Sequence, residues 1–386
     1  MKNKKTNKFI GINCLDVDDK YVGGINTFLY GILDGLDKNN YNKKIIIYCS
    51  NKNYTKFEKY KSKFKIKKFD YNRKFYYFFY VILSFLNFEK LFIYTNKLFT
   101  KKIFDEIYKE TCVLYTPTSV LTSYFFKGKN IVSPHDFQHI YYRENFNIFR
   151  LKYRYLSYKL TIKFSDLIQV SSNMIKNDVL KNYKINKKKI FLMSEGVDLD
   201  EFKAKNNKKK NLVFFPAYWW PHKNHKFIIK CFMKLIFKEK VNCKLIMCGG
   251  INFTEKQKML KLQKKTQGRI SHIGIVSKMS LINLYRRSRL VISPATYESS
   301  SLPILEAIAC NTPVIASNTK PNIELNKKLD ITLYKLNNSN SFIRSFKEIW
   351  FNKSTYRKQT FFNKKALKEY SWKLISQKYF KIFLKL

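Results

Sequence analysis

The chain has 386 residues, 45% of them apolar, and a formal net charge of +48. An apolar fraction this high excludes an intrinsically disordered protein, and a chain of this length usually divides between two hydrophobic cores. We therefore expect two folded domains.

The positive charge comes mainly from lysine, since only 10 of the 75 basic residues are arginine. The lysines are spread along the whole chain, which indicates a bias of codon composition rather than a dedicated nucleic-acid surface. Such a polycation can still bind phosphate backbones by releasing counterions. An anionic membrane surface is the better partner, because each lysine near it adds about 1 kcal/mol.

The seven cysteines show no C-x-x-C spacing, which is typical of buried thiols in a reducing compartment. The basic N-terminus is not followed by a long apolar run, so no secretory leader is expected. The most apolar run, residues 75–86, is too short to span a bilayer and forms either a buried helix or one lying in the membrane interface. We expect a cytoplasmic protein that can attach peripherally to the inner face of the membrane.

Short apolar runs alternate with helical stretches in the first half of the chain. A Gly23-Gly24 pair and a helical pattern over residues 25–36 follow the first run, and residues 151–164 form a further helix. This alternation predicts a parallel sheet in an N-terminal domain of residues 1–203. Its strands are predicted at residues 9–14, 44–49, 112–115, 130–133, 166–171 and 189–193.

A polar segment rich in lysine and asparagine, residues 204–211, separates this series from a second one and is the predicted linker. The second series predicts another α/β domain over residues 212–360. Residues 361–386 are expected to form a long helical stretch. The strands of the second domain are predicted at residues 212–216, 244–249, 270–274, 290–293 and 313–316.

The most informative stretch runs from Ser293 to Ser317. It leaves a buried strand, passes a polar turn, enters a helix near Pro303 and ends in another strand. Glu298 is placed on the turn and Glu306 in the first helical turn, eight positions apart. Ligands of parallel-sheet proteins collect where strands end and helices begin, so this pair predicts a binding site. The alternative is a solvated turn glutamate and a glutamate that favours the helix dipole.

The order Tyr-Glu-x-x-x-Leu-Pro-x-x-Glu-Ala, followed by Thr-Pro-Val-Ile-Ala, resembles the E-x7-E signature of retaining GT-B glycosyltransferases of family 4, the glycosyl transferases group 1. The segment Trp-Pro-His-Lys-Asn-His at residues 220–225 resembles the bacterial members that build surface polysaccharides. The resemblance implies two Rossmann-like domains facing across a cleft. It also implies that the first domain takes the acceptor, the second binds the nucleotide sugar, and the C-terminal helix crosses back to the first domain.

The resemblance also implies roles for residues of the second domain. Glu298 would contact the transferred sugar and Glu306 the ribose hydroxyls of the donor. The backbone amides of Ser301 and Leu302 would meet the diphosphate, whose charge Lys223 would neutralise as the glycosidic bond breaks. A lysine in a turn is otherwise usually solvated.

This chain departs from the family pattern at three positions where glycine is usual. Ser299, Ser301 and Asn311 stand there instead. Glycine lets a backbone approach a phosphate closely, so we expect these changes to lower the catalytic efficiency rather than to abolish the activity.

Further candidates lie in the first domain. His135, at the end of a strand, opens a His-Asp-x-Gln-His-x-x-x-x-Glu segment that resembles a cleft motif in which the first histidine lies near the transferred sugar. Asp136 and Glu144 of that segment are weaker candidates, and a hydrogen-bonded structural histidine is the alternative. Gly23 and Gly24 would leave room for the donor phosphates and the acceptor.

The resemblance therefore predicts a retaining, metal-independent hexosyltransferase of mannosyltransferase-like type. It would move a sugar from a GDP- or UDP-linked donor to a hydroxyl of a glycan or polyprenyl-linked acceptor, in the synthesis of lipopolysaccharide, capsule or another surface polysaccharide. No metal, no cofactor besides the donor and no specific nucleic acid are expected. The alternatives are a catalytically inactive GT-B scaffold and a protein that binds polyanions, either membrane or nucleic acid.

Overall fold

The computed structural model describes residues 9–17, 23–205 and 207–386. The chain divides into two compact units. Unit 1 comprises Met1–Ser194 together with Trp372–Leu386, and unit 2 comprises Glu195–Ser371. Position 206 of the predicted linker lies outside the described residues, and the domain boundaries expected at residues 203 and 361 stay predictions.

Unit 1 contains a seven-stranded sheet in which every pair of neighbouring strands is parallel, as predicted. Its strands are β1 (Phe9–Asn13), β2 (Ile45–Ser50), β3 (Lys65–Phe69), β4 (Thr111–Thr116), β5 (Lys129–Val132), β6 (Leu167–Val170) and β7 (Ile190–Leu192). Their order is β3-β2-β1-β4-β5-β6-β7, so the direction of winding reverses between β1 and β4. The sequence analysis missed β3.

The helices of unit 1 up to residue 194 are α1 (Gly24–Lys38), α2 (Arg73–Phe85), α3 (Glu89–Glu110), α4 (Gln138–Tyr141), α5 (Ile148–Phe164) and α6 (Asn173–Asn182). Helix α6 begins where the Ser172 hydroxyl accepts a hydrogen bond from the Ile175 amide at 3.4 Å, which is the geometry of an N-cap.

Helix α2 corrects one expectation about residues 75–86. Only Tyr80, Leu83 and Ser84 of this helix are buried. Phe75 is 48% exposed and Phe78 61% exposed, so the alternative of a buried helix is wrong.

Unit 2 contains a six-stranded sheet that is parallel throughout. Its strands are β8 (Lys210–Pro216), β9 (Lys244–Cys248), β10 (Ile270–His272), β11 (Ser288–Ser293), β12 (Val314–Ser317) and β13 (Thr332–Tyr334). The order is β10-β9-β8-β11-β12-β13, so the winding reverses between β8 and β11. Strand β8 begins inside the predicted linker, and the sequence analysis missed β13.

The helices of unit 2 are α7 (His225–Phe237), α8 (Phe253–Lys265), α9 (Lys278–Arg287), α10 (Leu302–Ala309), α11 (Lys320–Asn326), α12 (Ser339–Phe351) and α13 (Lys353–Ala366). Alternate residues of β8 supply the two cores on the faces of the sheet. Val213 and Phe215 pack into one core with residues of α7 and α12. Phe214 packs into the other with residues of α9 and α10, as the period of two in a strand requires.

The long helical stretch expected from residue 361 is two helices rather than one. Helix α13 ends at Ala366, a single 3-10 turn follows, and α14 (Trp372–Phe383) begins after Ser371. Ser371 is extended and forms a parallel bridge with Val197, which interrupts the helix.

Helix α14 returns to unit 1, as predicted, and packs on α1. Glycines 31 and 35 of α1 make this approach possible. A Cβ atom at Gly31 would lie 2.1 Å from the Trp372 ring, and one at Gly35 would lie 2.4 Å from the Trp372 carbonyl oxygen.

Candidate functional site

The reversal point of the unit 2 sheet places two loops side by side. Strands β8 and β11 are neighbours, and both run toward the same edge of the sheet. The loop after β8 carries Lys223, and the loop after β11 carries Glu298. The Thr296 amide donates a hydrogen bond to the His222 carbonyl oxygen at 2.8 Å and joins the two loops. Crevices at such reversal points are the usual ligand sites of open parallel sheets.

Lys223 and Glu298 form an ion pair at the centre of this edge. The Lys223 ammonium lies 2.6 Å from Glu298 Oε1, and the two side chains are 21% and 11% exposed. Asn224, in the left-handed conformation with φ of 63°, ends the turn of Lys223 and begins α7. The alternative of a solvated turn glutamate is therefore wrong for Glu298, because an ion pair with Lys223 holds this side chain inside.

Glu306 lies on α10 and points into the protein. Because α10 begins at Leu302, Glu306 is in the second turn of the helix, and its placement in the first turn was wrong. Its Oε2 accepts a hydrogen bond from the Tyr285 hydroxyl at 2.7 Å. Burial raises the pKa of Glu306 to about 7, although this hydrogen bond and Lys278 both act to lower it.

A third carboxylate, Glu195, belongs to the same cluster. It is 8% exposed, and burial raises its pKa to about 7. The charges of Glu298 and Glu306 add to this increase, while Ser300 and the charge of Lys223 oppose it. Three carboxyl groups thus share one region of unit 2 with the Lys223 ammonium, and burial brings the pKa values of Glu195 and Glu306 close to neutral pH.

The start of α10 brings Ser301 and Leu302 to the same edge, because Ser301 is the N-cap residue of this eight-residue helix. The Ser301 and Ser293 hydroxyl oxygens lie 3.3 Å apart. On the other side of β8, Gly249 follows β9 with φ of +134°. A Cβ atom there would lie 2.4 Å from the Ala217 carbonyl oxygen, so this close approach of two loops requires glycine.

His135 lies in unit 1, near the reversal point between β1 and β4. Its Nε2 is 2.7 Å from the Pro117 carbonyl oxygen, which follows β4. Since a carbonyl oxygen only accepts, Nε2 carries the proton of the neutral ring and Nδ1 is left as an acceptor. Burial lowers the pKa of His135, which favours this neutral form, and the Phe28 ring packs against it with centroids 4.9 Å apart.

The other candidates of unit 1 have different surroundings. Asp136 binds the Arg154 guanidinium at 2.5 Å and also accepts from the Gln138 amide at 3.0 Å, which are structural contacts. Glu144 is exposed on a 3-10 turn. Gly23 is the N-cap residue of α1, and a Cβ atom built on Gly24 meets no described atom within 4 Å.

Within the described part of the chain, no group of three or more histidine, cysteine or acidic side chains is arranged to hold a metal ion. His225 is buried and stacked on Trp219, with ring centroids 4.3 Å apart, and burial lowers its pKa to about 3. His225 is therefore a core residue of unit 2.

The structure brings Lys223, Glu298, Glu306 and the start of α10 into one unit, and His135, Gly23 and Gly24 into the other. Sequence analysis missed Glu195 and Tyr285. Glu195 directly precedes the segment Gly196-Val197-Asp198 at the start of unit 2, and this position was the available signal. Nothing in the spacing along the chain links Tyr285 to Glu306.

Part of this chain, including the site residues of unit 2, resembles a known sequence family. Residues 197–366 match the family described as glycosyl transferases group 1. The chain is 27% identical to the O-antigen chain mannosyltransferase RfbU of Salmonella typhimurium over 188 residues, or 48% of this chain and 51% of that protein. It is 30% identical to O-antigen chain mannosyltransferase B of Escherichia coli over 99 residues, or 25% and 26% of the two chains. The chain thus spans about half the length or less of these relatives.

A solved structure resembles the whole chain. The crystal structure of Anabaena HepE in complex with UDP and glucose matches with a TM-score of 0.73, covering 98% of this chain and all of that one at 15% identity. At this identity the likeness shows the fold, which is the GT-B fold of two Rossmann-like units that the sequence predicted.

Proposed function

Because residues 197–366 match the family described as glycosyl transferases group 1, we propose that this chain is a glycosyltransferase that uses a nucleotide-diphosphate sugar as donor. The observation that carries the proposal is the Lys223–Glu298 ion pair at the reversal point of the unit 2 sheet, with Glu306 buried nearby. The matched segment contains all three residues.

The ion pair suggests how the donor would be received. Lys223 is held by Glu298 at 2.6 Å. A diphosphate carries more negative charge than one carboxylate, so it would compete for the ammonium and release Glu298 toward the sugar. Lys223 would then stabilise the charge that grows on the leaving nucleotide diphosphate.

Glu306 suits the ribose end of the donor. A carboxylate that keeps one oxygen on the Tyr285 hydroxyl can accept hydrogen bonds from two neighbouring sugar hydroxyls with the other. The amides of Ser301 and Leu302, at the N-terminus of α10, would meet the phosphates between the two carboxylates.

The proposed reaction retains the configuration of the anomeric carbon. The bond from that carbon to the phosphate oxygen breaks, and the acceptor hydroxyl oxygen bonds to the same face of the carbon. The hydroxyl proton passes to the released phosphate oxygen. In this scheme neither a metal ion nor a cofactor takes part.

The relatives suggest the biological setting. Two of them are named as O-antigen chain mannosyltransferases, so we propose mannose as the first sugar to test and a surface-polysaccharide intermediate, either a glycan or a polyprenyl-linked one, as acceptor. HepE was crystallised with UDP and glucose, so UDP-sugars are tested beside GDP-sugars. We propose that the reaction takes place at the cytoplasmic face of the membrane.

The first test is the thermal stability of the purified protein in the presence of UDP-, GDP-, ADP- and CMP-sugars. A selective increase in Tm for one nucleotide, absent in Glu306→Ala, would support the donor site and identify the base. If no sugar nucleotide raises Tm, the proposal fails and a polyanion-binding protein is favoured.

The second test measures turnover with the donor so identified. Lys223→Ala and Glu298→Gln should each reduce turnover by about 10²-fold or more, since each removes one transition-state contact. Lys256→Ala, on the exposed surface of α8, is the matched control. Near-wild-type rates in both site variants would contradict the assignment, and nucleotide binding without turnover in the wild type would indicate an inactive scaffold.

A further inference from the structure

Helix α2 presents an apolar stripe to solvent. Phe75, Phe78, Phe79, Ile82 and Phe85 are each at least 37% exposed. They follow one another at intervals of three and four residues, which places them on one face of the helix. The opposite face carries the buried residues of α2, so the stripe faces away from unit 1.

The first half of α3 extends this apolar surface. Leu91, Tyr94 and Leu98 are 47%, 56% and 61% exposed and also recur at three- and four-residue intervals. The Phe75 ring packs against Phe99 of α3, with centroids 5.9 Å apart. The exposed faces of the two helices, defined here as the aromatic face, are therefore continuous.

A cavity of about 900 Å³ opens beside the aromatic face, between α5, the segment after α6 and the junction of α2 with α3. Its walls combine apolar side chains with six cations and one carboxylate, Glu89. The cations are Arg143, Lys152, Lys159, Lys163, Lys184 and Lys189.

The cavity and the aromatic face meet at the end of α2. The Phe85 ring contacts Phe149 of α5 with centroids 4.5 Å apart, and Ile148, the preceding residue, lines the cavity and is 50% exposed. Glu89 forms an ion pair with Lys159 at 2.6 Å, so it does not neutralise the other five cations of the cavity.

We propose that the aromatic face and this cavity together dock the protein onto an anionic phospholipid bilayer. The aromatic side chains of α2 and α3 enter the boundary between headgroups and acyl chains, where aromatic residues are favoured. The cations of the cavity bind the lipid phosphates.

The dimensions favour a helix that lies in the plane of the interface. Helix α2 has 13 residues and is about 20 Å long, which is shorter than the apolar thickness of a bilayer. Among the helices of the described residues, none combines the length and the hydrophobicity that spanning a bilayer requires. An amphipathic helix with aromatic residues on one side and cations nearby binds at the surface instead.

Charge decides between a bilayer and other occupants of the aromatic face. Between Asn72 and Ile103 the chain carries Arg73, Lys74, Lys90, Lys97, Lys101 and Lys102 against Glu89 as the one acidic residue. Two copies meeting through this face would bring like charges together, whereas an anionic bilayer would neutralise them.

The test is co-sedimentation of the full-length protein with vesicles, without any sugar nucleotide. We expect strong binding to vesicles of phosphatidylcholine and phosphatidylglycerol in equal parts, weak binding to phosphatidylcholine alone, and a decrease with salt. Phe78→Ser with Leu98→Ser should weaken binding about tenfold or more, because both side chains would leave the apolar boundary. Lys163→Ala with Lys184→Ala should weaken it by a similar factor, at about fivefold per cation.

Matched controls lie on unit 2. Phe253 and Ile275 are 77% and 66% exposed, and their replacement by serine removes apolar surface of the same kind. Lys261→Ala with Lys264→Ala removes two exposed cations of α8. These controls should bind vesicles like the wild type, and all four double variants should keep the wild-type melting temperature because the changed side chains are on the surface.

Three results would overturn the proposal. The first is equal weakening by the unit 1 and unit 2 variants, which would indicate a non-specific effect of charge. The second is vesicle binding that survives Phe78→Ser with Leu98→Ser and is displaced by RNA, which would indicate a polyanion surface. The third is a lipid-free dimer that these two substitutions dissociate, since a second copy would then cover the aromatic face. Because the assay uses no donor, it stands or falls independently of sugar transfer.

Discussion

The buried carboxylates Glu195 and Glu306 make a quantitative prediction about stability and pH. Each is 8% exposed, and burial raises the pKa of each from 4.5 to about 7. Between these two values the folded protein keeps a proton that the unfolded chain has released. The unfolded state then binds fewer protons than the folded state, so the free energy of unfolding decreases as the pH rises. The stabilising contribution is complete below about pH 4.5 and is lost as the pH passes 7.

The size of the effect follows from the two pKa shifts. A shift of one unit corresponds to about 1.4 kcal/mol. A rise from 4.5 to about 7 therefore lowers the free energy of unfolding by about 3 kcal/mol for each carboxylate at high pH. Glu306→Gln removes one of these contributions, because the amide cannot ionise.

The measurement is denaturant unfolding between about pH 5 and about pH 8 for the wild type, Glu195→Gln and Glu306→Gln. Comparison with the wild type is needed because the buried His225 and His272 act in the opposite direction, their pKa values being lowered to about 3 and about 4. The difference between wild type and each variant should change by about 3 kcal/mol over this range. Glu369→Gln, at an exposed carboxylate, is the control. A difference that stays constant with pH would refute the argument that these carboxylates hold protons.

Two further predictions concern contacts within each unit. Tyr285→Phe should destabilise the protein by about 2 kcal/mol at neutral pH, because it removes a hydrogen bond to a buried carboxylate. It should also weaken nucleotide binding in a titration, because it raises the pKa of Glu306 further. Unchanged stability and affinity would contradict this role. Gly31→Ala should lower Tm, because the added methyl group would meet the Trp372 ring and such overpacking costs about 1–3 kcal/mol. Gly24→Ala, the control, should leave Tm unchanged. Equal melting temperatures for the two variants would refute the packing of α14 on α1.

Sequence patterns predicted the central strands of both sheets but not two strands at their edges. Strand β3 contains the residues Lys-Ile-Lys-Lys-Phe, and β13 has only three residues. Both lie at an edge of their sheet. An edge strand is covered on one side only and is often short or rich in lysine, so it lacks the apolar run that identifies a central strand.

The sequence also did not predict that the site residues are buried. The position of Glu298 on a polar turn suggests a solvated side chain, but a cation 75 residues earlier in the chain holds it inside. Glu195 shows the same limit, since its neighbours in space are Ser300 and Glu298 rather than any residue near it in the chain. Local patterns give the order of strands and loops, whereas burial of a charge depends on which loops the sheet brings together.

The three positions where this chain lacks the usual glycine are not equivalent, and their backbone conformations distinguish them. Asn311 has φ of 54°, in the left-handed region, whereas Ser301 has φ of −128° and Ser299 is not among the described residues with positive φ. Only Asn311 therefore occupies a conformation that favours glycine, and asparagine is the residue that tolerates it next best. We expect Asn311→Ala to destabilise unit 2 by about 1 kcal/mol and Asn311→Gly to be neutral or slightly stabilising. Ser301→Gly should not stabilise the protein, because its backbone is unstrained. Denaturant unfolding of the three variants checks this order. If Ser301→Gly stabilised the protein, the backbone strain caused by the loss of glycine would lie at the start of α10 rather than at its end.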